Sequence, residues 1–161
     1  MKSCLLTVLL AAAVLTGCGD HSDRPVAGKP HKHEHKPPHG GTPVVLGSEE
    51  YHLELVLDPM AGRLTAFVMD GELENFVRLP VPSFVVNVTE PARGLVFQAV
   101  PNPASGEKIG DTSQFDAQAD WLKTTTNFDA VLPSLTVRSK TYTNVSFNFP
   151  EGNDTDEEPK N

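Results

Sequence analysis

The chain has 161 residues, enough for one packed core plus extensions, and 39% of them are hydrophobic, so a folded domain is expected. Its formal net charge is −8, which argues against nucleic acid or a broad anionic membrane surface as partner. Fourteen prolines and twelve glycines interrupt long helices, and the only two cysteines, Cys4 and Cys18, lie near the N-terminus, so the rest has neither a disulfide nor a thiol nucleophile.

Lys2 followed by the apolar run Leu5 to Val14 has the layout of a secretion signal and is too short to span a bilayer, which takes about 20 residues. The run ends in Leu15-Thr16-Gly17-Cys18, which resembles the lipobox of bacterial lipoproteins. That resemblance implies a signal peptide over residues 1–17, cleavage before Cys18 and lipidation of its thiol, palmitate-type acylation included. The mature chain would then be held at a membrane by a covalent anchor, outside the cytoplasm. Gly19 after the cysteine leans the reading towards the outer membrane, facing the periplasm, although Asp20 leaves inner versus outer open.

Residues 18–43 show no apolar periodicity and carry five prolines, which predicts a disordered, partly polyproline-like tether. Four of the six histidines fall within His31-Lys32-His33-Glu34-His35-Lys36-Pro37-Pro38-His39-Gly40-Gly41. Imidazole is a common ligand for copper, zinc and nickel ions, so His31, His33, His35 and His39 are candidate metal ligands. The opposing reading is a solvated spacer in which Lys32 and Lys36 repel a dication. The spacing lacks the ligand pairs of a preformed structural zinc site.

From residue 44 the pattern becomes period-two, and a single β domain is expected over residues 44–150. Val44 to Leu46 is a first short strand. Tyr51 to Asp58 and Arg63 to Asp70 form a hairpin around Pro59-Met60-Ala61-Gly62. Pairing Asp58 with Arg63 sets Leu57 opposite Leu64, Leu55 opposite Ala66 and Leu53 opposite Val68, making one face uniformly apolar; a one-residue slip would mix the faces. The same register sets His52 opposite Met69 and Glu54 opposite Phe67. A His-Met pair beside a carboxylate suits a soft cation such as Cu(I), with tether histidines as further ligands; otherwise His52 is a half-exposed residue covering Met69 and Phe67.

Asp70 to Asn75 reads as a polar turn without calcium-loop spacing. A second hairpin pairs Phe84 to Thr89 with Leu95 to Val100, its inward face formed by Phe84, Val86 and Val88. In Gly110 to Leu122 the residues Phe115, Ala119 and Leu122 fit one helical face, predicting one short helix or an irregular crossover. Trp121 is expected to pack at the core or its rim. Phe128 to Leu132, Leu135 to Arg138 and Thr143 to Phe149 return to strand, with a turn at Ser139-Lys140-Thr141, and residues 151–161 read as a disordered acidic tail. The fold class is therefore all-β: a small sandwich or barrel of seven or eight strands with one short helix, preceded by the signal peptide and tether.

The domain has one histidine after Gly41, no Gly-x-Ser-x-Gly elbow, no phosphate loop and no dinucleotide fingerprint, which points away from an enzyme. A hydrolase would need two acids among Asp111, Asp116 and Asp120 to converge. Pro38-His39-Gly40-Gly41, Val45-Leu46-Gly47, Tyr51 to Val56 and Gly62-Arg63-Leu64 together resemble small bacterial lipoproteins of planctomycete-like genomes that open with a His-Gly-Gly element. More loosely, His39 to Asp70 is similar to the N-terminal β segment of periplasmic adaptors of heavy-metal efflux pumps, which implies metal binding near His39 and His52. The expectation is a non-catalytic binding module that captures transition-metal ions through its tether and requires no cofactor. The alternative is a structural or interaction lipoprotein of the cell envelope, with an envelope protein as partner.

Overall fold

The computed structural model describes residues 36–154. Eight antiparallel strands form one nearly closed, barrel-like sheet: β1 (Thr42–Leu46), β2 (Tyr51–Asp58), β3 (Arg63–Asp70), β4 (Ser83–Val88), β5 (Arg93–Ala99), β6 (Gln114–Gln118), β7 (Phe128–Val137) and β8 (Lys140–Phe149). Their spatial order is β1-β2-β3-β6-β5-β4-β7-β8. Strands β4, β5 and β6 run as consecutive neighbours and β7 returns beside β4, a Greek key inserted after the first meander.

The expected register of the first hairpin is present. Asp58 pairs with Arg63, Leu57 with Leu64, Leu55 with Ala66 and Leu53 with Val68. The reason is the parity argument, reinforced at the turn, where Gly62 takes φ 65 and Asp58 accepts from the Ala61 N–H and from Arg63. The inward faces of all strands meet in one core, in which Phe97, Phe115, Leu53, Leu64 and Leu132 are fully enclosed. Phe84 stacks on Phe97 at 4.9 Å and meets Phe115 edge-on at 5.2 Å.

Three expectations change. Residues 114–118 are strand β6, not helix, with Phe115 and Ala117 turned into the core against Ala66 and Leu64. Among the described residues the only helical turns are 3₁₀, at Pro103–Ser105 and Asp120–Lys123. A helix over 110–122 would have hidden two backbone edges that β6 instead satisfies, pairing with β3 on one side and β5 on the other. The two segments expected over 128–132 and 135–138 are one strand, β7, which ends at Val137, and the sheet changes phase within it. Leu132 and Leu135 both face inward, across Pro133 and the Asn144 of β8, whose φ is 53. The turn between β7 and β8 is Arg138-Ser139, one residue earlier than expected, with Arg138 at φ 55.

The folded region extends past residues 44–150 at both ends. Thr42 is already in β1, and its hydroxyl donates to the Pro150 carbonyl. Asn153 completes the closure: its amide oxygen accepts from Val45 N–H at 2.7 Å and its NH₂ donates to the Val45 carbonyl at 3.2 Å. One side chain thereby occupies both hydrogen-bonding groups of an edge-strand residue. Trp121 packs edge-on against Phe128 at 5.4 Å under Arg93, a rim residue as expected. Among the described residues no helix is long and apolar enough to cross a membrane.

Candidate binding site

The outward face of the first hairpin was expected to be half-exposed; it is covered instead. His52 is 2% exposed, Glu54 0% and Met69 1%. Two segments cover them. Residues 71–78 fold back along β3, with Val77 N–H donating to the Val68 carbonyl, Asp70 N–H to the Asn75 carbonyl, and a bridge joining Met69 to Phe76. The carboxylate of Asp70 accepts from the N–H groups of Glu74 and Asn75 and from the Asn75 side chain. Burial pushes against its ionisation, and those donors outweigh it, so its pKa is lowered. This acid is thus committed to its own turn.

The second cover is the His-Gly-Gly element. The Glu54 carboxylate is enclosed, and its Oε1 accepts from His39 N–H at 2.7 Å and Gly41 N–H at 3.0 Å. Its Oε2 lies 2.7 Å from His39 Nδ1. A buried carboxylate is costly unless its lone pairs are filled, and this short segment supplies three N–H donors to one side chain. The glycines make the approach possible. Gly40 takes φ 68, and a Cβ on Gly41 would stand 2.6 Å from the Leu55 carbonyl oxygen. The His39 ring then stacks on Phe67, centroids 4.0 Å apart and planes 12° apart, with Phe76 tilted against both at about 6 Å.

A neutral imidazole that donates from Nδ1 carries its lone pair on Nε2. Glu54 therefore orients the His39 ring with Nδ1 on its carboxylate and Nε2 turned away from it, and the side chain remains 37% exposed. Its ring borders two grooves of about 520 and 430 Å³ that share His39, Phe67 and Gln114. The larger continues towards Phe76, Arg78 and Glu107; the smaller towards Arg63, Thr65 and Asp116.

Each groove ends in a compensated ion cluster. Arg78 meets Asp111 at 3.3 Å and Glu107 at 3.7 Å. Glu107 also accepts from the hydroxyls of Thr112 and Ser113 and from Asn102 N–H. Its burial works against ionisation, but these hydrogen bonds prevail and hold its pKa below 4.5. At the other end Arg63 meets Asp58 at 3.0 Å and Asp116 at 3.8 Å. Asp120 pairs with Lys123. The three acids considered for a hydrolase, Asp111, Asp116 and Asp120, are each held by a different cation.

Cys18, His31, His33 and His35 lie outside the described residues. His39 pairs with Glu54, whereas His52 Nδ1 lies 3.3 Å from the Asp70 carbonyl oxygen, so the two have different ring partners. His52 does sit opposite Met69, as expected, but both are enclosed. Among the described residues no three His, Cys, Asp or Glu side chains form a group able to hold a metal ion. The role of Glu54 as receiver of the His-Gly-Gly element, and the groove lined by Phe76, Arg78 and Gln114, were not anticipated. The signal for the first was an acid in the middle of a strand, preceded in sequence by two consecutive glycines. No family model, curated protein or solved structure matches the chain.

Proposed function

We propose that the protein is a lipid-anchored, extracytoplasmic, non-catalytic binding module. It captures transition-metal ions, copper, zinc or nickel, with the histidines at its N-terminal side, and His39 is the ligand fixed to the fold. The observation that supports this reading is the Glu54–His39 pair. A carboxylate on one imidazole nitrogen orients the ring and leaves the other nitrogen to a ligand, the arrangement that accompanies metal-bound histidines. His31, His33 and His35 lie close enough in sequence to add ligands to an ion held at Nε2. The anchor rests on the lipobox-like Leu15 to Cys18 and places the module at the envelope, with the outer membrane preferred.

The test is calorimetric titration of Cu²⁺ and Zn²⁺ into the soluble chain from Gly19 onward, alongside His39→Ala, Glu54→Gln and a triple alanine variant of His31, His33 and His35. Glu54→Gln keeps an oxygen for the two backbone donors, but its NH₂ faces Nδ1 and drives the ring proton to Nε2. Affinity is expected to fall about tenfold or more in each single variant. Affinity no greater than that of an isolated peptide of residues 29–41 would end the metal reading and leave the envelope interaction module.

A further inference from the structure

We propose that the groove passing over the His39–Phe67 stack binds a strand of neutral oligosaccharide. This site goes beyond metal capture and does not depend on it.

The two grooves share His39, Phe67 and Gln114, so they adjoin at an aromatic centre. Each is of the size of a ligand site, roughly 300–1,000 Å³. Phe76 stands beside the stack with 53% of its surface exposed, an unusual placement for a ring in a polar concavity. An extended ligand with flat C–H faces would cover it.

Charge selects the class. Both groove arginines already face two carboxylates each at the surface, Arg78 those of Asp111 and Glu107 and Arg63 those of Asp58 and Asp116. A polyanion would find no uncompensated cation and would approach a chain of net charge −8. A lipid chain would meet polar walls. The Gln114 amide, the Asn102 amide and the paired Arg and carboxylate groups instead offer adjacent donors and acceptors. Vicinal hydroxyls suit such pairs, and the pyranose C–H face suits an exposed ring.

The test is titration of chitohexaose and of cellohexaose, each followed by amide chemical shifts, with a neutral proline-rich decapeptide as control and EDTA present throughout. Shifts centred on Gln114 and Phe76 are expected with at least one saccharide. Phe76→Ala should weaken binding about fivefold to tenfold, compared at a temperature where its amide spectrum away from residue 76 still matches that of the unsubstituted protein. Gln114→Ala should weaken it further. The proposal is overturned if neither saccharide shifts these residues at millimolar concentration, if binding is indifferent to both substitutions, or if only the peptide occupies the groove. Because EDTA removes metal, each of these outcomes leaves the metal reading untouched, and failure of metal binding leaves this one untouched.

Discussion

The two faces of the β2–β3 hairpin are held by different physics. Inward, Leu53, Leu55, Leu64, Ala66 and Val68 contribute apolar area to a common core. That contribution is non-directional, and it tolerates exchange of one aliphatic side chain for another of similar volume. Outward, Glu54 and His52 are as enclosed as the leucines, but their polar atoms meet partners of fixed direction: the Glu54 carboxylate faces His39 and Gly41, more than ten residues away in sequence, and His52 Nδ1 lies 3.3 Å from the Asp70 carbonyl oxygen. The first face stabilises the barrel. The second, in being covered, sets the position of an imidazole and an aromatic floor at the surface, which is why the candidate site lies there.

The sharpest way to separate the faces is substitution at adjacent positions. Glu54→Ala strands three donors and is expected to cost about 3 kcal/mol in chemical denaturation. Leu55→Met, its neighbour pointing the other way, should cost less than about 1.5 kcal/mol. Similar losses from the two would mean that the outward carboxylate is no more than packing.

The glycines give a graded version of the same contrast. Gly41→Ala forces a methyl against the Leu55 backbone oxygen and should cost about 2 kcal/mol. Gly40→Ala has open space and only its positive φ to contend with, for about 1 kcal/mol. Thermal unfolding of both variants checks the order.

At the barrel seam, Asn153→Ala should cost about 1 kcal/mol and speed hydrogen exchange at the Val45 amide, leaving Leu53 and Leu55 protected.

The pH dependence is the smallest effect and runs in a defined direction. Asp70 and Glu107 have lowered pKa values in the fold, so their contribution is complete above the ordinary carboxylate range. It is lost as pH falls through their folded values, and the unfolding temperature should drop below about pH 4. Tyr142, partly buried and donating to Glu50 at 2.9 Å, is pushed up to about 12. Its contribution is complete below its ordinary value of 10.0 and is lost as pH rises through about 12. Glu107→Gln should flatten the acid limb.

How much of this was legible depended on whether parity or distance carried the information. The first hairpin could be registered from sequence because Leu53, Leu55 and Leu57 share a parity that sets them against Val68, Ala66 and Leu64, and a slip is penalised at each of these pairs. Strand β6 could not. Gln114 to Gln118 offers only two apolar residues, Phe115 and Ala117, and the helical spacing of Phe115, Ala119 and Leu122 is as good locally; its partners on β3 and β5 decide. The Arg138-Ser139 turn carries no glycine or asparagine to announce a positive φ. His52 and Glu54 looked solvent-facing because polar residues at alternating positions usually are, and nothing local records that residues 39–41 and 71–78 return to cover them. The His-Gly-Gly element was visible as a motif. Its receiver, fifteen residues on, was not.

The central claim is that Glu54 holds His39 with its proton on Nδ1 and its lone pair on Nε2. Long-range ¹H–¹⁵N correlation of the imidazole rings at neutral pH tests it without any ligand. The account predicts a His39 ring with a protonated Nδ1 and an unprotonated Nε2, reversed in Glu54→Gln. A His39 ring with the proton on Nε2 in the unsubstituted protein, or one whose signals do not respond to Glu54→Gln, would contradict it.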